Sequence, residues 1–147
     1  MDSFDLGRLT DFDFEILCKD LFTEILGLEF EVFSPGADGG IDLRHLSSHS
    51  GKVIVQCKHW KRSGRAALIN HIKEKEVEKV RKLKPDRYIL ATTAELTRHS
   101  KDSLYDTLRP YSLSPSDIFG IDEIASQLRN NPDLVRKHLR LWLNSAA

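Results

Sequence analysis

The stretch "GADGGIDLRHLSSHSGKVIVQCKHW", residues 36–60, decides how the chain folds. Glycines and Pro35 break the chain around Asp38. Ile41 to Leu46 then alternates, with Ile41 and Leu43 on one face and Asp42 and Arg44 on the other. "SSHSG" is a turn. Lys52 to Lys58 alternates again, with Val53, Val55 and Cys57 inward and Ile54, Gln56 and Lys58 on the opposite face. The two runs predict a β-hairpin. If it closes near Ser50, Asp42 lies opposite Lys58 and Arg44 opposite Gln56, with cross-strand Cβ atoms about 5 Å apart. A one-residue slip would put the polar set on the wrong face, so the register is part of the prediction.

Outward from the hairpin, Thr10 to Gly27 predicts a first helix. Thr10 and Asp13 open it, Gly27 closes it, and Phe14, Leu17, Cys18, Leu21, Phe22 and Ile25 form its apolar stripe. Glu15 borders that stripe; a solvated residue beside Lys19 is the alternative reading of it. "LEFEVFS" (28–34) predicts a strand. After the hairpin, Ala66 to Leu83 reads as one long charged helix with a thin apolar face of Ile69, Ile72, Val77, Val80 and Leu83. "RYILATT" (87–93) is an apolar, central strand. A helix over about 97–108, a short strand at "IFGI", a helix capped by Asp122 and a last helix opened by Asn131 and Pro132 complete the chain. The pattern predicts an α/β sandwich around a mixed sheet.

Composition narrows the function. A chain of 147 residues with 40% apolar and 30% charged residues makes one ordinary globular domain. No apolar run is long enough to span a bilayer, and "MDSFDLGRL" lacks the basic start and apolar centre of a signal peptide, so a cytoplasmic location is expected. Cys18 and Cys57 are expected to be buried free thiols. The formal net charge of zero argues against coating nucleic acid by bulk electrostatics, though "KHWKRSGR" (58–65) is a local basic patch. Trp60 is expected in the core or an interface, and His45 and His49 in solvent.

Asp42, Gln56 and Lys58 on one face suit phosphodiester hydrolysis. That chemistry needs an activated water, an electrophilic phosphorus and stabilised charge on the departing oxygen, and a divalent cation on hard oxygen ligands serves all three. Asp42 is the anchor, the Cys57 carbonyl a second oxygen, and Glu15 a further ligand directly or through water. Lys58 orients the water or stabilises the phosphorane charge. Asp38 is a supporting residue, or a turn residue that satisfies backbone donors. A surface hairpin with one ion pair is the plain alternative for the whole set.

"GADGGIDL" followed by "VIVQCKHW", with Glu15 in "DFDFEIL" upstream, resembles the Mrr-like branch of the PD-(D/E)XK nuclease superfamily. That branch includes type IV restriction endonucleases, with archaeal Holliday junction resolvases as distant cousins. The resemblance runs from about Leu9 to Phe119 and includes "ILATTAELT". It implies a restriction-endonuclease-like α-β-β-β-α-β sandwich with a mixed central sheet and extra C-terminal helices. It also implies a catalytic set of Glu15, Asp42, Gln56 and Lys58. Gln56 stands where many members of the superfamily have an acid, so weaker metal affinity is expected and Glu15 should matter more.

The expected activity is therefore Mg2+-dependent endonucleolytic cleavage of DNA, with Mn2+ as substitute, in bacterial restriction or anti-phage defence. His59, Lys61, Arg62 and Arg65 are expected to contact double-stranded DNA, with an ordinary charged loop as the other reading of that segment. Alternatives are a nuclease fold that binds DNA or a partner without cutting, and a Holliday junction resolvase-like nuclease. Residues 1–120 are expected to form the nuclease core and 121–147 a helical extension, whose Leu134, Leu139, Leu141, Trp142 and Leu143 cap this core or join further domains. The resemblance to nuclease domains at the front of larger defence proteins, and the abrupt "NSAA" end, point to a linked sensor domain, while the neutral charge points to weak DNA binding that a homo-oligomer or partner would make up.

Overall fold

The computed structural model describes residues 5–33, 42–60 and 64–138. Asp38, Lys61, Arg62, Leu139, Leu141, Trp142 and Leu143 lie outside those residues.

Helix α1 (Asp11–Leu26) starts where the Thr10 hydroxyl accepts the Asp13 N–H at 3.0 Å, and ends at Gly27, whose φ of 68° suits a left-handed cap. Losing that cap in Thr10→Ala should cost about 1 kcal/mol of stability, read from urea unfolding. Strands β1 (Glu31–Val32), β2 (Leu43–Ser47), β3 (Gly51–Lys58), β4 (Arg87–Thr92) and β5 (Ile118–Phe119) form one five-stranded sheet in chain order. β1, β2 and β3 run antiparallel, while β3, β4 and β5 run parallel. The mixed α/β architecture expected from the sequence is thus present.

β3 lies at the centre of the sheet, and both of its faces are covered. On one face Leu43, Val53, Val55 and Cys57 meet Phe14, Leu17, Leu21 and Phe22 of α1. Ile124 and Leu128 of α5 (Ile121–Arg129) and Leu134 of α6 (Pro132–Lys137) join the same cluster. These helices therefore help bury the face of the sheet that α1 covers. The Gly120 N–H that opens α5 donates to Glu123 Oε1 at 2.7 Å, so Glu123 rather than Asp122 caps it. On the other face Ile54, Tyr88 and Leu90 meet Leu68, Ile72, Val80 and the α4 (Arg98–Leu108) residues Leu104 and Leu108. The alternation predicted for β3 holds, but its polar side faces a second helical layer rather than water.

Two local expectations change. The hairpin closes with Ser47 paired to Gly51, and Ser47 Oγ accepts the Ser50 N–H at 2.9 Å. Closure therefore centres on His49 and not Ser50. Leu43 faces Val55 and Arg44 faces Ile54, which sets Asp42 opposite Gln56. The slip is two residues, so every side chain keeps its predicted face. Arg44 instead pairs with Glu31 at 3.0 Å and lies over the Phe33 ring. His45 is half-buried, with Nδ1 2.7 Å from the Glu29 carbonyl oxygen.

The long helix is also interrupted. α2 (Arg65–His71) passes through a π-helical turn (Ile72–Glu76) into α3 (Val77–Leu83). The extra residue in that turn keeps Leu68, Ile72, Glu76 and Val80, each four apart, on the buried side. One charged residue thus joins the core stripe.

Candidate active site

Three parts of the chain bring the site together: α1 carries Glu15, Asp42 immediately precedes β2, and the end of β3 carries Gln56, Cys57 and Lys58. Asp42 is 9% exposed. Its Oδ2 accepts both the Gln56 Nε2–H and the backbone N–H of Cys57, each at 2.8 Å. Both donors fall on one oxygen, and the Glu15 carboxyl is a further hydrogen-bond neighbour of the same group. The Gln56 amide donates through nitrogen, so its Oε1 is the oxygen it can offer a ligand.

Glu15 is 6% exposed, and its Oε2 is buried without a hydrogen-bond partner. Burial and the neighbouring Asp42 charge raise its pKa from 4.5 to about 7. Burial likewise raises Asp42, against the pull of the Cys57 N–H. Two acids of like charge held close together, with one oxygen unanswered, form an environment that a positive charge would relieve. Among the described residues, no three His, Cys, Asp or Glu side chains assemble as a metal cluster. The donor set is two carboxylates, an amide and a backbone carbonyl: hard oxygens that suit a divalent cation taking its remaining ligands from water or phosphate.

Lys58 stands on the same side of β3 as Gln56, and its Nζ is 3.0 Å from Glu76 Oε2. That oxygen also lies 3.5 Å from His71 Nε2 and from Lys79 Nζ. Glu76 was not legible as a site residue because "KEKEVEK" reads as a solvated charge run. The available signal is its place midway between Ile72 and Val80 at four-residue spacing.

The basic patch divides. His59, expected on DNA, turns inward: its ring is 2% exposed, Nε2 is 3.1 Å from the Leu6 carbonyl oxygen, and it meets Phe14 edge-on. It is therefore a packing residue. Arg65 is exposed at the start of α2. Trp60 packs against the α2-side core, and its ring centroid is 5.4 Å from that of His71. Cys18 and Cys57 are buried free thiols.

A mixed sheet with an aspartate just ahead of its second strand, Gln-x-Lys at the end of its third and helices on both faces has a restriction-endonuclease-like fold. Residues 6–117 match the restriction endonuclease family Mrr_cat, and the chain belongs to that family. It is also 39% identical over 142 residues to the uncharacterized protein y4cD of Sinorhizobium fredii (strain NBRC 101917 / NGR234). That match takes in 97% of this chain and 22% of the relative, so the chain spans well under two thirds of that protein's length. No solved structure matches the chain.

Proposed function

We propose that this domain is a divalent-metal-dependent DNA endonuclease that hydrolyses phosphodiester bonds in a restriction or anti-phage defence protein. The observation that carries the reading is the buried Glu15–Asp42 pair, with one carboxylate oxygen unpartnered, beside the paired ammonium of Lys58. Asp42, Glu15, Gln56 through Oε1, and the Cys57 carbonyl would hold Mg2+ or Mn2+. Bound there, the ion would supply a lowered water pKa and charge neutralisation at the scissile phosphate.

The chain's own groups have distinct tasks. The Cys57 N–H and the Gln56 amide fix the Asp42 carboxylate through Oδ2 and orient Oδ1. Lys58 places a positive charge where the phosphorane forms. Lys61, Arg62 and Arg65 contact the DNA backbone, and Asp38 supports the metal shell. With zero net charge, the isolated domain should bind duplex weakly. Cutting in the cell would then depend on a homo-oligomer or a linked sensor domain that concentrates several sites on one duplex. The short share of y4cD that the chain spans is in keeping with such a longer protein. Among the described residues no helix is long and apolar enough to cross a membrane, and a cytoplasmic location fits a DNA substrate.

A plasmid-nicking assay tests the reading. Supercoiled DNA should be nicked or linearised with Mg2+ or Mn2+ and left intact with EDTA. Intact DNA under all conditions, together with no Mg2+ or Mn2+ uptake by calorimetry, would show a binding module instead.

A further inference from the structure

We propose that Glu76 is a positioning residue that fixes the Lys58 ammonium at the site, and that the π-helical turn exists to bring it there. The inference rests on the nuclease reading for its consequence, although the positioning itself can be measured without cleavage.

Glu76 is 2% exposed on a stripe that is otherwise Leu68, Ile72 and Val80. A carboxylate in such a place costs several kcal/mol in desolvation unless it is closely paired. An apolar residue would complete the stripe without that cost, so the acid needs a reason. Its Oε2 supplies one: Lys58 Nζ, His71 Nε2 and Lys79 Nζ all converge on that single oxygen. Of these, Lys58 approaches most closely, at 3.0 Å, and is the most enclosed of the two lysines.

A lysine side chain carries about 2 kcal/mol of rotamer entropy. Left alone at a strand end, its ammonium would sample many positions, whereas catalytic groups must be held to about 0.5 Å. A buried carboxylate anchored on a helix restricts that sampling. It does so from behind, because Glu76 itself is too enclosed to touch a phosphate. The π-helical turn is the backbone device: it inserts the residue that keeps position 76 in register with positions 72 and 80.

The test is a double-mutant cycle of Glu76→Gln and Lys58→Ala, with single-turnover plasmid cleavage in Mg2+ as the readout. With Lys58 present, Glu76→Gln should lower the rate by about 10²-fold, as expected for a displaced reacting group, while KM for DNA changes less than about twofold. With Lys58 already replaced, it should change nothing further. Glu76→Asp keeps the charge and should recover part of the rate. Equal losses in both backgrounds, or no loss in either, overturn the proposal. Acylation of the metal-free protein by acetic anhydride, read peptide by peptide, gives a measure independent of activity. Lys58 should react faster in Glu76→Gln and in Glu76→Asp than in the wild type, and unchanged labelling in both variants also overturns it. If the wild type does not cut DNA, the nuclease reading fails and labelling alone decides the positioning.

Discussion

Replacing Asp42 by alanine should abolish Mg2+-dependent cleavage, with a loss of about 10³-fold or more, and Lys58→Ala should do the same. The two losses have different structural companions. Asp42 accepts two hydrogen bonds on one buried oxygen, so truncation leaves the Cys57 N–H and the Gln56 amide unpartnered. Each orphaned donor costs about 1–3 kcal/mol, and Asp42→Ala should also unfold at lower urea. Asp42→Asn separates the effects. It keeps the side-chain shape and a carbonyl acceptor, and it removes a buried charge that burial already disfavours. Its stability should therefore match or exceed that of the wild type, while its cleavage stays as low as that of the alanine variant. A metal titration should show the same division, with cation binding lost in both variants and retained in Lys58→Ala. Cleavage by Asp42→Asn within about tenfold of wild type would remove Asp42 from the centre of the mechanism.

Much of this site was legible in "GADGGIDLRHLSSHSGKVIVQCKHW" because strand alternation has a period of two. Side-chain facing survives any even slip, so Asp42, Gln56 and Lys58 share a side although the hairpin closes one residue earlier than the turn residues suggested. Helix α1 was legible for a similar reason, since a polar cap and a terminal glycine bracket an apolar stripe. Four features were hidden by tertiary context. "LEFEVFS" alternates over seven residues, yet among its described residues the ladder with β2 takes in Glu31 and Val32, with Phe33 adding one bond from its N–H to the Asp42 carbonyl. A charge run in a helix carries no mark of a π-helical turn, because the turn is selected by what packs beneath it. Burial of Glu76 and of the Glu15 oxygen depends on helices covering both faces of the sheet, which a one-dimensional pattern does not encode. The inward turn of His59 has the same origin: Phe14 and the Leu6 carbonyl meet it from the chain's first helical segments.

The metal-free domain should lose stability as pH rises from about 4.5 to about 7, and Glu15→Gln should remove most of that loss. The sign follows from the proton count. Glu15 titrates at 4.5 when unfolded and at about 7 when folded, so between those values the folded state binds more protons. Stability then falls with rising pH and levels off above the folded value. The span corresponds to a cost on the order of 3 kcal/mol at pH 8. Asp42 is raised as well and acts in the same sense. Asp20, lowered from 3.8 through its contacts with His138 and Lys137, works in the opposite sense but below this window. Urea unfolding in EDTA at pH 5 and pH 8 measures the effect, and a slope that persists unchanged in Glu15→Gln would sink the assignment. Mg2+ should restore wild-type stability at pH 8 because a ligand that binds only the folded state shifts unfolding by mass action. It should do little for Glu15→Gln, which has less charge to answer. The two acids are thus held together at a cost to the metal-free fold, a cost that a bound cation would offset.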